Sequence, residues 1–125
     1  MLTSDIAPSD SGLSVSPLGP RDAIFLLRPD GRIASWNPRA ERLLGYSESE
    51  AMGRHVTWLY PMEQVQRGES ERELRLAIGS GCYEAKGWRL RKDHSSFRAL
   101  MRIFAMRDAG GTTEGFLVIT SPSTE

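Results

Sequence analysis

The chain has 125 residues, with 16 lysines and arginines balanced by 16 aspartates and glutamates. That is enough for one domain with one hydrophobic core, and a formal charge of zero offers no basic surface to a nucleic-acid backbone. The longest apolar run, Ala23 to Leu27, is too short to span a bilayer, no basic-then-apolar leader opens the chain, and a lone cysteine, Cys82, has no internal disulfide partner. A soluble cytoplasmic protein is expected, bound neither to membrane nor to nucleic acid.

Residues 1–20 are rich in Ser, Asp, Pro and Gly and show no periodicity, so a disordered N-terminal arm is expected there. A domain is expected over residues 21–121, with 122–125 as a short tail. Ala23 to Leu27 reads as a strand, Pro29-Asp30-Gly31 as a tight turn and Arg32 to Trp36 as the return strand. Asn37-Pro38 opens a helix that Gly45 stops after Leu44. Ser47-Glu48-Ser49-Glu50 has the capping-box pattern of a second, shorter helix ending near Gly53. Thr57 to Pro61 is a short apolar element. Glu69 to Ile78 is the longest helix expected, with Leu74, Ala77 and Ile78 inward and Glu71, Arg72, Glu73 and Arg75 on a solvated face.

From Gly81 onward, three apolar runs are separated by Lys92-Asp93-His94-Ser95 and Asp108-Ala109-Gly110-Gly111, the pattern of an antiparallel meander. The middle run splits by parity into an apolar face, Phe97, Ala99, Met101, Ile103 and Ala105, and a mixed face, Arg98, Leu100, Arg102, Phe104 and Met106. The first is expected to be core. The second is only half suited to water.

Asp30-Gly31-Arg32-Ile33, Ser35-Trp36-Asn37, Ala40-Glu41-Arg42-Leu43-Leu44-Gly45-Tyr46, Glu50, Gly53, Gly87-Trp88-Arg89, Arg91-Lys92-Asp93 and Gly115-Phe116 together resemble a bacterial PAS sensory domain of the histidine-kinase type. The match covers roughly Asp22 to Thr120. The resemblance implies an α+β PAS fold: a five-stranded antiparallel sheet, order 2-1-5-4-3, with short helices on one face around a small pocket. Such domains sense ligands, light, redox state or oxygen, or mediate protein contacts, and few are enzymes. The pocket lining this implies is Ile33, Leu44, Trp58, Leu74, Ile78, Met101, Ile103 and Ile119.

The flavin-binding branch that responds to blue light carries an Asn-Cys pair where this chain has His55-Val56, so no thiol stands ready for a flavin adduct. Haem-binding relatives hold iron through a histidine on the long helix, and Gln66 to Ser80 contains none. His55 reads as a surface or capping histidine. His94 replaces the glycine of the usual hairpin turn, at a cost of about 1 kcal/mol if that turn is kept. Two histidines and one cysteine give no zinc spacing, and no residue pattern points to catalysis. No tightly bound cofactor is expected; a flavin or haem redox or oxygen sensor is the alternative.

In most relatives the last strand leads into a coiled-coil linker. Here Pro122 is expected to interrupt the strand ladder, so the chain is expected either to be a fragment of a larger sensor or to signal in trans. Trans signalling needs a surface, and the mixed face offers Leu100, Phe104 and Met106 framed by Arg98 and Arg102, with Phe116 and Val118 of the last strand assigned beside them by parity. The partners expected are a second copy of the chain or a signalling protein such as a histidine kinase or response regulator.

Overall fold

Local capping signals place the first two helices. The Asn37 side chain accepts from the Ala40 amide at 2.8 Å, Pro38 sits in the first turn, and Gly45 closes α1, Pro38–Leu44, with φ 88°. Ser47 and Glu50 form a reciprocal capping box at the start of α2, Glu48–Ala51. Lys92 and the Ser47 amide bond the Glu50 carboxylate and hold it below the usual carboxylate range. A 3-10 turn, Val56–Leu59, follows. Next come α3, Met62–Gln66, which has no side-chain cap, and α4, Glu69–Ser80, which passes through Gly79 and ends at Gly81 with φ 89°. This computed structural model describes residues 22–123, so the arm expected over residues 1–20 lies outside the described residues.

Four strands make one antiparallel sheet: β1, Ala23–Leu27; β2, Cys82–Leu90; β3, Ser96–Arg107; and β4, Thr113–Pro122. Their spatial order is β1-β4-β3-β2. The sheet therefore has four strands, not the expected five, and the order 2-1-5-4-3 loses its first member. The missing strand is Arg32 to Trp36, where Ala34 still donates to the Leu26 carbonyl at 2.8 Å but side chains take over the rest of the ladder. Ser35 Oγ accepts from the Leu26 amide at 3.0 Å and Asn37 Oδ1 from the Ile24 amide at 3.1 Å. Ile33 meanwhile turns its other edge to the next segment, donating to the Arg54 carbonyl at 2.8 Å and accepting from Gly53 at 2.9 Å. Only isolated bridges remain, Leu27 to Ile33 and Arg32 to His55.

The apolar face of β3 lies inward, with Phe97, Ala99, Met101 and Ile103 buried beside Phe25 and Leu27 of β1. The helices and the 3-10 turn cover this side with Ala40, Leu44, Ala51, Val56 and Leu59. Pro122 does not break the β4 ladder, because it still faces Ala99 and Ser123 donates to the Arg98 carbonyl at 2.9 Å. A proline at the last rung has no inter-strand N–H bond to lose.

The β2–β3 turn keeps its tight form, closed by Arg91 to Ser95 at 2.9 Å. His94 consequently adopts φ 72°, the one non-glycine residue with positive φ among the described residues. His94→Gly should therefore raise stability by about 0.5–1 kcal/mol, read as a later urea midpoint at an unchanged slope. No gain would mean that the imidazole makes an offsetting contact.

Candidate functional site

The space between sheet and helices closes to a cavity of about 10 Å³, roughly the room of one water. Its apolar lining comes from Phe25, Leu27, Leu44, Val56, Leu59, Leu74, Met101, Ile103 and Val118; Tyr60, Arg89 and Thr120 supply the polar atoms. Four of the expected lining residues stand there: Leu44, Leu74, Met101 and Ile103. Four do not. Ile33 is fully buried in the core behind the lining. Trp58 stacks on Tyr46 with ring centroids 3.8 Å apart, under the Arg54 guanidinium, and borders an outer groove. Ile78 is exposed on α4. Ile119 pairs with Ile24 and Arg102 on the opposite side of the sheet.

The polar wall contains an arrangement that the sequence does not announce. Glu73, expected on the solvated face of α4, points inward and is buried. Its Oε1 accepts from Arg89 at 3.1 Å and from the Tyr60 hydroxyl at 2.6 Å. Arg89 lies over the Tyr60 ring, 3.6 Å from its centroid, and also donates to the Trp88 carbonyl at 2.9 Å. The side chains of the ion pair are only 5% and 8% exposed, so this is a charge pair held in a low-dielectric interior rather than a surface contact. Burial pushes the Tyr60 phenol above its ordinary value; Arg89 opposes that shift and Glu73 adds to it. Tyr60 thus stays protonated and donates. Its contribution to stability is fully present below about pH 10, the unfolded phenol value, and is lost as the pH rises beyond that.

The strand register settles the outer face. Opposed residues share a face, and Phe116 and Val118 stand opposite Ala105 and Ile103, which puts both on the inner side. The outward residues of β4 include Leu117, opposite Phe104, Ile119, opposite Arg102 and buried, and Ser121, opposite Leu100. Leu100, Arg102, Phe104 and Met106 do face outward, half-buried, with Arg98 exposed beside them. Ile24 and Leu26 of β1 extend the patch. At the other edge Trp88 is 46% exposed, with the Arg98 guanidinium 5.8 Å from its ring centroid. Cys82 is exposed on this side too, opposite Phe104, its thiol pushed up by partial burial and by Glu84.

Residues 21–122 of the chain match the family model described as the PAS fold. The chain belongs to the PAS family. Among curated proteins, this PAS domain is 38% identical over 103 residues to Two-component system protein A of Emericella nidulans; the match takes in 82% of the chain and 15% of that protein. Among solved structures, a PAS domain from Colwellia psychrerythraea superposes with a TM-score of 0.75 at 26% identity, over 82% of this chain and 86% of that one. A light-oxygen-voltage domain studied with a flavin analogue superposes at 0.71 with 24% identity, over 84% and 79%, a likeness of fold alone.

The residues of this PAS domain do not fit a flavin or a haem as the interior is packed. Val56 is buried in the lining where the family's light-sensing branch has its cysteine, and the cavity holds no volume for a ring system. No histidine borders it: His55 caps the 3-10 turn, accepting from the Thr57 amide at 3.2 Å, and His94 sits in the exposed hairpin. Among the described residues no cluster of His, Cys, Asp and Glu is placed to hold a metal ion, and no helix is long and apolar enough to cross a membrane.

Proposed function

We propose that this PAS domain is a cytoplasmic signal-transduction module that works by protein contact across the outer face of its sheet, with the interior pocket tuned by a small ligand. The observation that carries the reading is the outer face itself. Leu100, Phe104, Met106, Leu117 and Ile24 share that face with Arg102, which stands between Leu100 and Phe104, and with Arg98, Lys86 and Glu84 on the neighbouring rungs, so apolar side chains alternate with charged ones as on a contact surface. The partners are a second copy of the chain and a component of a two-component pathway, a histidine kinase or a response regulator. The name of the Emericella nidulans relative favours that pathway. No catalytic role is assigned.

Sedimentation of the wild type across a concentration series tests the contact. Association is expected, and Phe104→Glu should weaken it by about tenfold or more while leaving the circular dichroism spectrum unchanged. A wild type that stays monomeric at high concentration and captures no two-component protein would refute the surface. The alternative sensor carrying flavin or haem is tested by the absorption spectrum of freshly purified protein, where a flavin or Soret band would displace the small-ligand reading.

A further inference from the structure

The segment formed by α3 and α4, residues 62–80, buries little. Among its residues only Ser70, Glu73 and Ala77 are fully buried, while Met62, Leu76 and Ile78 are exposed. Glycines at positive φ bound α4 on both sides, Gly68 at 71° and Gly81 at 89°. Arg107 bonds the Ile78 carbonyl near its end, and Leu74 and Val65 pack partly on the core. Of its apolar side chains only Ala77 belongs to the buried core, so apolar burial holds this flap weakly, and its buried polar attachment is the Glu73 carboxylate on Arg89. Arg89 in turn lines a cavity whose remaining walls are almost all aliphatic or aromatic. A buried guanidinium at the edge of an apolar chamber suits a ligand with a carboxylate at one end and an apolar tail. In the folded chain, that place on Arg89 is taken by a carboxylate of the protein's own.

We propose that the interior pocket takes a small organic acid, whose carboxylate replaces Glu73 on Arg89 and Tyr60 and whose departure from or arrival at that place closes or releases the α3–α4 flap. This rests on the reading of the pocket as ligand-tuned. The cavity holds roughly one water, so an acid enters only as Glu73 and Leu74, both on α4, leave. Tyr60, kept protonated by burial, donates to either carboxylate. Ser70, on the same inward side of α4 one turn before Glu73, has a buried hydroxyl without a hydrogen-bond partner. Release of the flap hydrates it and so favours the opened state. Because Glu73 competes as a tethered anion, the wild type binds free acids weakly.

The test titrates the whole chain with straight-chain carboxylates from acetate to octanoate at constant ionic strength, and with primary alcohols of the same lengths. Binding is followed by amide chemical shifts, and the flap by tryptic cleavage after the exposed Arg67, Arg72 and Arg75. Acids should bind about tenfold tighter than matched alcohols, more tightly as the tail lengthens, and should accelerate flap cleavage. In Glu73→Gln, which keeps the size of the side chain and removes the competing anion, acids should bind about tenfold tighter again. Alcohols binding as well as acids would overturn the role of Arg89 while leaving a ligand-tuned pocket in place. Binding of neither would overturn both. Acids that bind yet leave flap cleavage unchanged or slower, or that bind the Gln variant no better than the wild type, would overturn displacement of Glu73.

Discussion

Arg89→Met is expected to destabilise the domain by about 3–5 kcal/mol, one of the largest effects of any single substitution here. The loss does not measure the strength of the ion pair. It measures what the substitution leaves behind: a Glu73 carboxylate 8% exposed, with one hydroxyl donor in place of a guanidinium and a hydroxyl. The penalty is that of a buried carboxylate left without its charged partner. Removing both charges together, as in Arg89→Met with Glu73→Gln, whose amide oxygen still accepts from Tyr60, should recover much of the loss, because no buried charge is then left unpaired. Urea unfolding of the two single variants and the double variant closes the cycle. A single-variant cost below about 1 kcal/mol, the range of exposed pairs, would show that water reaches the triad.

That result bears on why the triad exists. A pair that contributes little net stability, yet costs several kcal/mol to break on one side, behaves as a latch. It fixes the position of α4 relative to β2 without adding much to the overall fold, and anything that supplies Arg89 with another anion lowers the cost of letting go. The inner pocket and the outer sheet face share the same strands: Arg89 points inward from β2 while its neighbour Trp88 is exposed on the outer side next to Arg98. A change at the latch is thus one residue away from the contact surface.

Features written in short-range chemistry were legible in the sequence. Asn37-Pro38 with Gly45 gave α1 its limits, Ser47 with Glu50 the start of α2, and an all-apolar parity in Phe97 to Ile103, against a mixed one, the inner face of β3. What failed depends on partners distant in sequence. Phe116-Leu117-Val118-Ile119 is apolar throughout, so alternation cannot orient it, and only its pairing with β3 decides which members face inward. Glu73 lies among Glu71, Arg72 and Arg75 on a polar helix, and its partner is 16 residues away on another element. A helix with few apolar residues gives periodicity little to work with. The return strand failed for a subtler reason. Its composition suits a strand, but Ser35 and Asn37 meet the amides of β1 before any backbone carbonyl does. Ile78 and Ile119 show the same limit for the pocket: both are apolar, and both lie away from the cavity.

Gly115→Ala is the second substitution expected to have a large effect, about 3 kcal/mol or more, and here the cause is backbone contact. Gly115 has φ 151°, and a Cβ placed on it would lie 2.3 Å from the Leu27 carbonyl oxygen. That oxygen belongs to the end of β1, where Leu27 pairs with Phe116, so no flexible side chain is available to move aside. Relief requires β1 to slide or lift from β4, and the next rungs, Leu26 with Leu117 and Ile24 with Ile119, carry part of the outer apolar face. The variant should therefore lose amide protection first in β1, and its association should weaken along with its stability. Gly53→Ala provides the control: φ is 83° but nothing lies within 4 Å of the added carbon, so only the conformational cost of about 1 kcal/mol remains. Equal losses in the two variants would mean that the close approach of β1 to Gly115 relaxes freely, and that β1 is a loosely held edge rather than a fixed part of the contact surface.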